Sequence, residues 1–225
     1  MYTLDLRQEY LSYVGRFTHP ALELWGRGDI VTKGLYEAFQ PFQVPLANFQ
    51  VSGAMTNAAD PAVTVKLGTA GTSKFAFDRV ESVFVNFTED FSQSIPRILA
   101  ASTTWIRGAV PSLNFASHHF VYFNHSMLKD AKVSDFLATL NPRIIAGAGQ
   151  TIGNGVIFNQ VRRDLNWQTQ LLLDRSTIIQ DGLFVSLTIT VRTDVIDYDN
   201  LLSEGRVYFA TVLRELDLQL PELSQ

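Results

Sequence analysis

The sequence predicts an α+β protein made of two related halves. Each half is ordered β-α-β-β-β-α, with a mostly antiparallel sheet covered by helices on one face. Three observations lead there. First, strand-like runs are grouped and helix-like segments stand apart from them, which favours α+β over an alternating α/β fold. Second, residues 182–192 alternate Val185, Leu187, Ile189 and Val191 with Ser186, Thr188, Thr190 and Arg192. One apolar and one polar face is the pattern of an antiparallel strand. Third, a phrase recurs: Asp78-Arg79 matches Asp174-Arg175, Phe84-Val85 matches Phe184-Val185, and a helix-like segment follows each copy. The order of elements around these few identities carries the argument for duplication. It divides the chain into halves 1–112 and 113–225, packed as one compact unit.

The elements follow in order. Residues 2–7 place Leu4 and Leu6 on one face and Thr3, Asp5 and Arg7 on the other, the period of a half-buried strand. The stretch 8–28 is ambiguous. A helix is expected over 30–39, capped by Asp29 and closed by Pro41. Three strands come next, at 42–52, 63–67 and 75–87. Pro45 marks the first as an edge or bulged strand, and the third is expected to bend or split near 79–82. The loop 67–73, with Gly68 and Gly71, separates the last two. Ser94 and Pro96 open a helix whose face is Ile95, Ile98, Leu99, Ser102, Trp105 and Ile106. Gly108 and Pro111 end it. The pattern then restarts with a strand at 115–125, a short helix from Ser134 to Asn141-Pro142, and strands at 155–162, 166–174 and 182–192. A last helix covers 199–216 and buries Leu201, Gly205, Tyr208, Val212 and Leu216.

Composition limits function. The chain has 225 residues, 46% of them apolar, and 16 phenylalanines, enough for a large aromatic core. A net charge of -4 gives no general attraction to nucleic acid or anionic membrane. There is no cysteine, so disulfides, thiolate nucleophiles and thiolate metal sites are excluded. The N-terminal residues read as neither a signal peptide nor a membrane span, and a cytoplasmic protein is expected. The sequons at Asn86 and Asn124 fall in strand-like runs and are read as chance matches.

Few motifs carry chemistry. The glycine-rich run 147–155, with Gly149 and Gly153, leads into a strand-like segment. A dinucleotide fingerprint needs a helix there, and a phosphate-binding P-loop needs a lysine after the last glycine. The run reads as a hairpin or surface loop, with a lid over a pocket as its functional alternative. His119 and His125 share a strand face but stand roughly 20 Å apart, too far to hold one metal. Arg79 and Arg175 are candidate anion-binding residues in equivalent positions of the two halves. Neighbouring strand residues face opposite sides, so an Asp78–Arg79 salt bridge is not expected. The acids Asp194, Asp197 and Asp199 read as helix caps. Arg162-Arg163 with Trp167 is a weak nucleic-acid signal. Triad partners can lie far apart in sequence, so a serine nucleophile stays open.

The expected role is therefore non-enzymatic: a structural, adaptor or complex-subunit protein acting through protein contacts or self-association. No cofactor, metal, membrane or nucleic acid is expected. Tyr10, Tyr13, Phe17, Trp25, Phe39, Phe42 and Phe49 are the aromatics available for such a surface. The alternative is a small-ligand-binding protein or enzyme with a pocket between the halves.

Overall fold

The computed structural model describes residues 1–24, 26–52, 62–129, 131–140 and 155–220. In chain order the elements are β1 (Tyr2–Phe17), α1 (Gly28–Phe39), β2 (Phe49–Ser52), β3 (Ala62–Lys66), β4 (Gly71–Ala76), β5 (Arg79–Val85), α2 (Glu89–Ser92) and α3 (Ile95–Ala109). They continue with β6 (Phe115–Leu128), α4 (Val133–Leu140), β7 (Val156–Arg162), β8 (Trp167–Arg175), β9 (Leu183–Val191), α5 (Tyr198–Glu215) and β10 (Leu218–Gln219). This is an α+β fold. Among the described residues the strands form one open, mostly antiparallel sheet in the order β2-β3-β4-β5-β1-β6-β9-β8-β7, with β10 beside β1. No helix among them is long and apolar enough to cross a membrane.

Two compact units emerge from the contacts. One comprises Leu11–Phe120 and Thr190–Leu202. Its strands β2 to β5 form an antiparallel meander, with Val51 opposite Val63, Val63 opposite Phe75 and Phe75 opposite Val80. Ser73, Ser82 and Ser102 are buried together, and their hydroxyls satisfy one another and the Ile98 carbonyl. That pairing keeps the polar groups from costing stability. Helices α1 and α3 meet where Gly34 faces the Trp105 indole, and a Cβ at Gly34 would overlap that ring. Gly34→Ala should therefore lower stability by about 1–3 kcal/mol through overpacking, although alanine is about 1 kcal/mol the better helix former. A fall in the urea midpoint checks this, and a rise would show that the helices part freely.

The other unit comprises Met1–Tyr10, Val121–Ile189 and Ser203–Gln225. Thr3 pairs with Gln219 in the parallel β1–β10 ladder, and the Tyr2 ring packs edge-on against Phe136 of α4 at 5.4 Å. Leu171, Leu173, Val185, Leu187 and Ile189 form its sheet core, and Phe209 and Leu213 of α5 are buried in the same unit. β7 and β8 pair antiparallel from Val156–Leu173 to Arg162–Trp167, and the turn between them places Asn166 in the left-handed region at φ 55°. Asparagine tolerates that conformation.

Several expectations change. The ambiguous stretch after Arg7 continues β1 as far as Phe17. The strand expected over 42–52 shrinks to β2, because 3₁₀ turns at Gln40–Phe42 and Leu46–Asn48 occupy the rest, with Pro45 at the start of the second. The strand expected over 75–87 is split: β4 turns through Phe77-Asp78 into β5, with Ala76 opposite Arg79. Four strands thus follow α1 in the first half, where three were expected. Neither Asp29 nor Ser94 caps its helix through a side-chain hydrogen bond: α1 is preceded by Arg27, and Ser94 sits at the α3 cap position without such a bond. Among the proposed surface aromatics, Tyr13, Phe17 and Phe39 are buried, while Trp25 lies outside the described residues.

Candidate functional site

Two places hold features that plain packing does not account for. The first is β7, the last strand of the sheet order. Period two sends Phe158 and Gln160 to one face and Ile157, Asn159 and Val161 to the other. On the first face Phe158, Leu171, Val212 and Leu216 line an apolar recess of about 230 Å³ with Gln160 and Glu215. Tyr208 donates its hydroxyl hydrogen to the Gln160 side-chain carbonyl at 2.6 Å. The Arg162 guanidinium stands 5.2 Å from the Tyr208 ring centre and donates twice to Asp164, at 3.0 and 2.7 Å. On the other face the Gln170 amide donates to the Asn159 Oδ1 at 3.0 Å. Ile157 is 55% and Val161 65% exposed.

Among the described residues β7 pairs with β8 alone. Its outer row of N–H and C=O groups is thus a template for another strand. Proteins usually blunt such an edge with lysine or proline, and β7 has neither.

The second place is a buried chain of hydroxyls ending on an imidazole. Thr103 of α3 donates to the Leu99 carbonyl at 2.9 Å, and Tyr198 donates to the Thr103 Oγ1 at 3.2 Å. The Tyr13 hydroxyl lies 2.9 Å from the Tyr198 hydroxyl and 2.9 Å from His118 Nδ1. His118 Nε2 makes no hydrogen bond among the described residues, although the Asp194 and Thr193 carbonyls lie close by. Burial, helped by the nearby Arg107 charge, pushes the His118 pKa down to about 4. Burial also pushes the Tyr13 phenol well up, with Tyr198 adding to the effect, and raises the Tyr198 phenol. At neutral pH all three groups are uncharged. Beside them a cleft of about 150 Å³ is lined by Thr104, Arg107, His118, Asp194 and Ile196. Arg107 bonds the Asp194 backbone carbonyl and, at 2.9 Å, its carboxylate, which also accepts the Phe115 N–H at 2.7 Å.

The residues singled out from sequence fare differently. Arg79 is held by Asp78, at 2.7 Å, and by Glu81. The Asp78–Arg79 salt bridge, not expected for neighbours on one strand, forms because Asp78 lies in the turn before β5, where strand alternation does not apply. Arg175 is exposed at the end of β8, makes no salt bridge among the described residues, and its N–H donates to Asp174. Gly149 and Gly153 lie outside the described residues. Asp197 caps α5 through the Asn200 N–H at 3.1 Å, whereas Asp194 serves Arg107 and Phe115. Trp167 is buried and offers no ring for stacking on a base.

His125 and Ser176 resemble a base and a nucleophile, with His125 Nδ1 2.9 Å from the Ser176 Oγ. That oxygen already accepts the Ile178 and Ile179 N–H groups, so its lone pairs are committed to the turn and its nucleophilicity is low. Among the described residues no three His, Asp or Glu side chains converge as a metal site.

No known protein family matches this chain. No curated protein matches it either. Apart from Arg162, the residues of β7 were read from sequence only as a strand. Two exposed β-branched residues among amides, with no lysine or proline, are the signal that marks it as an edge.

Proposed function

We propose that the protein is a non-enzymatic adaptor or complex subunit that binds through strand addition at β7. The observation that carries this reading is the outer side of β7, which no strand among the described residues pairs, with exposed Ile157 and Val161 and an apolar recess beneath. In strand addition, main-chain hydrogen bonds supply affinity and alternate side chains supply selectivity. An added strand on β7 points every second side chain toward the Phe158–Leu216 recess. The cytoplasm is the compartment we propose, and the lack of cysteine is compatible with its reducing environment. The duplication is part of the same reading. It is supported by the strand order, in which β2 to β5 and β1 of the first half stand together, β6 to β9 of the second half stand together, and the two long first strands, β1 and β6, are neighbours; only the short β10 departs, lying beside β1.

The test uses the exposed positions Ile157 and Val161. Lysine at both should reduce a stoichiometric partner co-purified from native extract at least about tenfold, because charge on an edge opposes pairing. Circular dichroism and thermal melts should match the parent chain. Undiminished capture by a folded double variant overturns strand addition at β7.

A second reading, small-ligand binding, has one observation behind it. The His118 cleft draws Thr104 and Arg107 from the first half of the sequence and His118 and Asp194 from the second, and His118 Nε2 makes no hydrogen bond among the described residues. A thermal shift with a panel of metabolites and nucleotides, abolished in His118→Phe, favours that reading over the first.

A further inference from the structure

We infer that the strand accepted by β7 is β7 of a second copy, paired antiparallel about a two-fold axis through Asn159. This rests on the reading of β7 as a docking edge. The argument is self-complementarity. A two-fold interface places a surface patch against itself, so each residue must suit its symmetry mate. With the axis at Asn159, Ile157 faces Val161 of the other copy, and Asn159 faces Asn159. On the face away from the recess this gives two apolar β-branched pairs flanking one amide pair, the cross-strand combinations that stabilise a sheet.

The amide pair is also balanced in hydrogen bonds. Asn159 Oδ1 accepts one hydrogen from Gln170 and has a second lone pair free for the other copy's amide. On the recess face Phe158 meets Gln160 of the mate, bringing each Phe158 to the margin of the other copy's recess, which Gln160 helps to line. Charge raises no objection. Arg162 is the single charged residue of β7, faces Val156 of the mate in this register, and is neutralised by Asp164 within its own chain. A shift of the axis by one residue, to Phe158 or Gln160, would place Ile157 opposite Asn159 or Val161 opposite Asn159 and lose the apolar pairs.

The absence of cysteine provides a clean test. Directly opposed strand residues have Cα atoms about 4.5–5.5 Å apart, within the range a disulfide bridges. Asn159→Cys should therefore cross-link to a dimer under mild oxidation. Gln168→Cys, on the same face of β8 but one strand inward, should stay uncrosslinked. Light scattering should give a particle of twice 25.2 kDa for the parent chain, and Ile157→Lys with Val161→Lys should return it to one chain. A parent chain that stays monomeric at high micromolar concentration, or equal cross-linking at positions 159 and 168, overturns the self-pairing. If the monomeric parent still captures another protein and the double variant does not, β7 remains a docking edge with a foreign occupant. If the double variant loses neither association, both readings fall.

Discussion

Phe120→Ala should cost roughly 3–5 kcal/mol, the range for removing a phenyl ring from a filled core. Phe120 is fully buried, 4.9 Å from the Tyr13 ring and 6.3 Å from the Tyr198 ring. Both neighbours are fixed by their hydroxyl bonds, so they cannot swing freely into the vacated space. The cavity term should therefore persist rather than relax away. Against a total stability of about 5–15 kcal/mol, this loss brings the chain close to its folding threshold. Phe120→Leu retains most of the volume and should cost less than about half as much. Chemical denaturation of the two variants checks the ratio. Equal losses would mean that ring shape, rather than volume, decides stability at this position.

The second large effect is an acid transition governed by His118. Its pKa lies at about 4 in the fold and near the ordinary 6.5 once the chain unfolds. The unfolded chain therefore binds the proton more readily between those values. Stability is intact well above pH 6.5 and falls as the pH drops toward 4, by about 2.5 kcal/mol near pH 4.5. His119 and His125, also lowered by burial, act in the same direction. Glu9, raised by burial, acts in the opposite one. The charged groups nearest His118 are Arg107, which opposes its protonation, and Asp194, which favours it more weakly than burial opposes it. Denaturation at pH 7.5 and 4.5 should show a smaller pH difference in His118→Gln than in the parent chain. An identical difference would remove His118 as the main cause.

Much of the architecture was legible where one face of an element is apolar throughout. β9 showed its alternation openly, and α3 and α5 showed helical spacing. The second half of β1 hid its pattern because Gly15 interrupts the run Leu11, Tyr13, Phe17 on the buried side. The β4–β5 hairpin hid because its turn, Phe77-Asp78, contains neither glycine nor asparagine. The Asp78 carboxylate instead ties the turn to the next strand through Arg79.

The candidate sites were much less legible. Tyr13 bonds residues 105 and 185 positions away, and no local pattern announces such pairing. The edge position of β7 is a property of sheet order, which depends on every other strand. The Asp-Arg pairs, legible as a repeated phrase, occupy unlike settings: one closes a turn through Arg79, and the other leaves Arg175 in solvent.

The β1–β10 ladder joins residues from opposite ends of the described chain. Thr3 lies beside Gln219, so this pairing closes a loop of almost the whole chain. The β4–β5 and β7–β8 hairpins can form within microseconds from neighbouring residues. Most of β1 can pair sooner with β5 and β6, but its Tyr2–Thr3 end must wait for β10, the last strand among the described residues. Rates fall as native contacts grow more distant in sequence, so the final docking of β1 with β10 is expected to be a late, slow event. Until then Tyr2 and Leu218 stay wet, and the first residues of β1 stay open to proteases and chaperones.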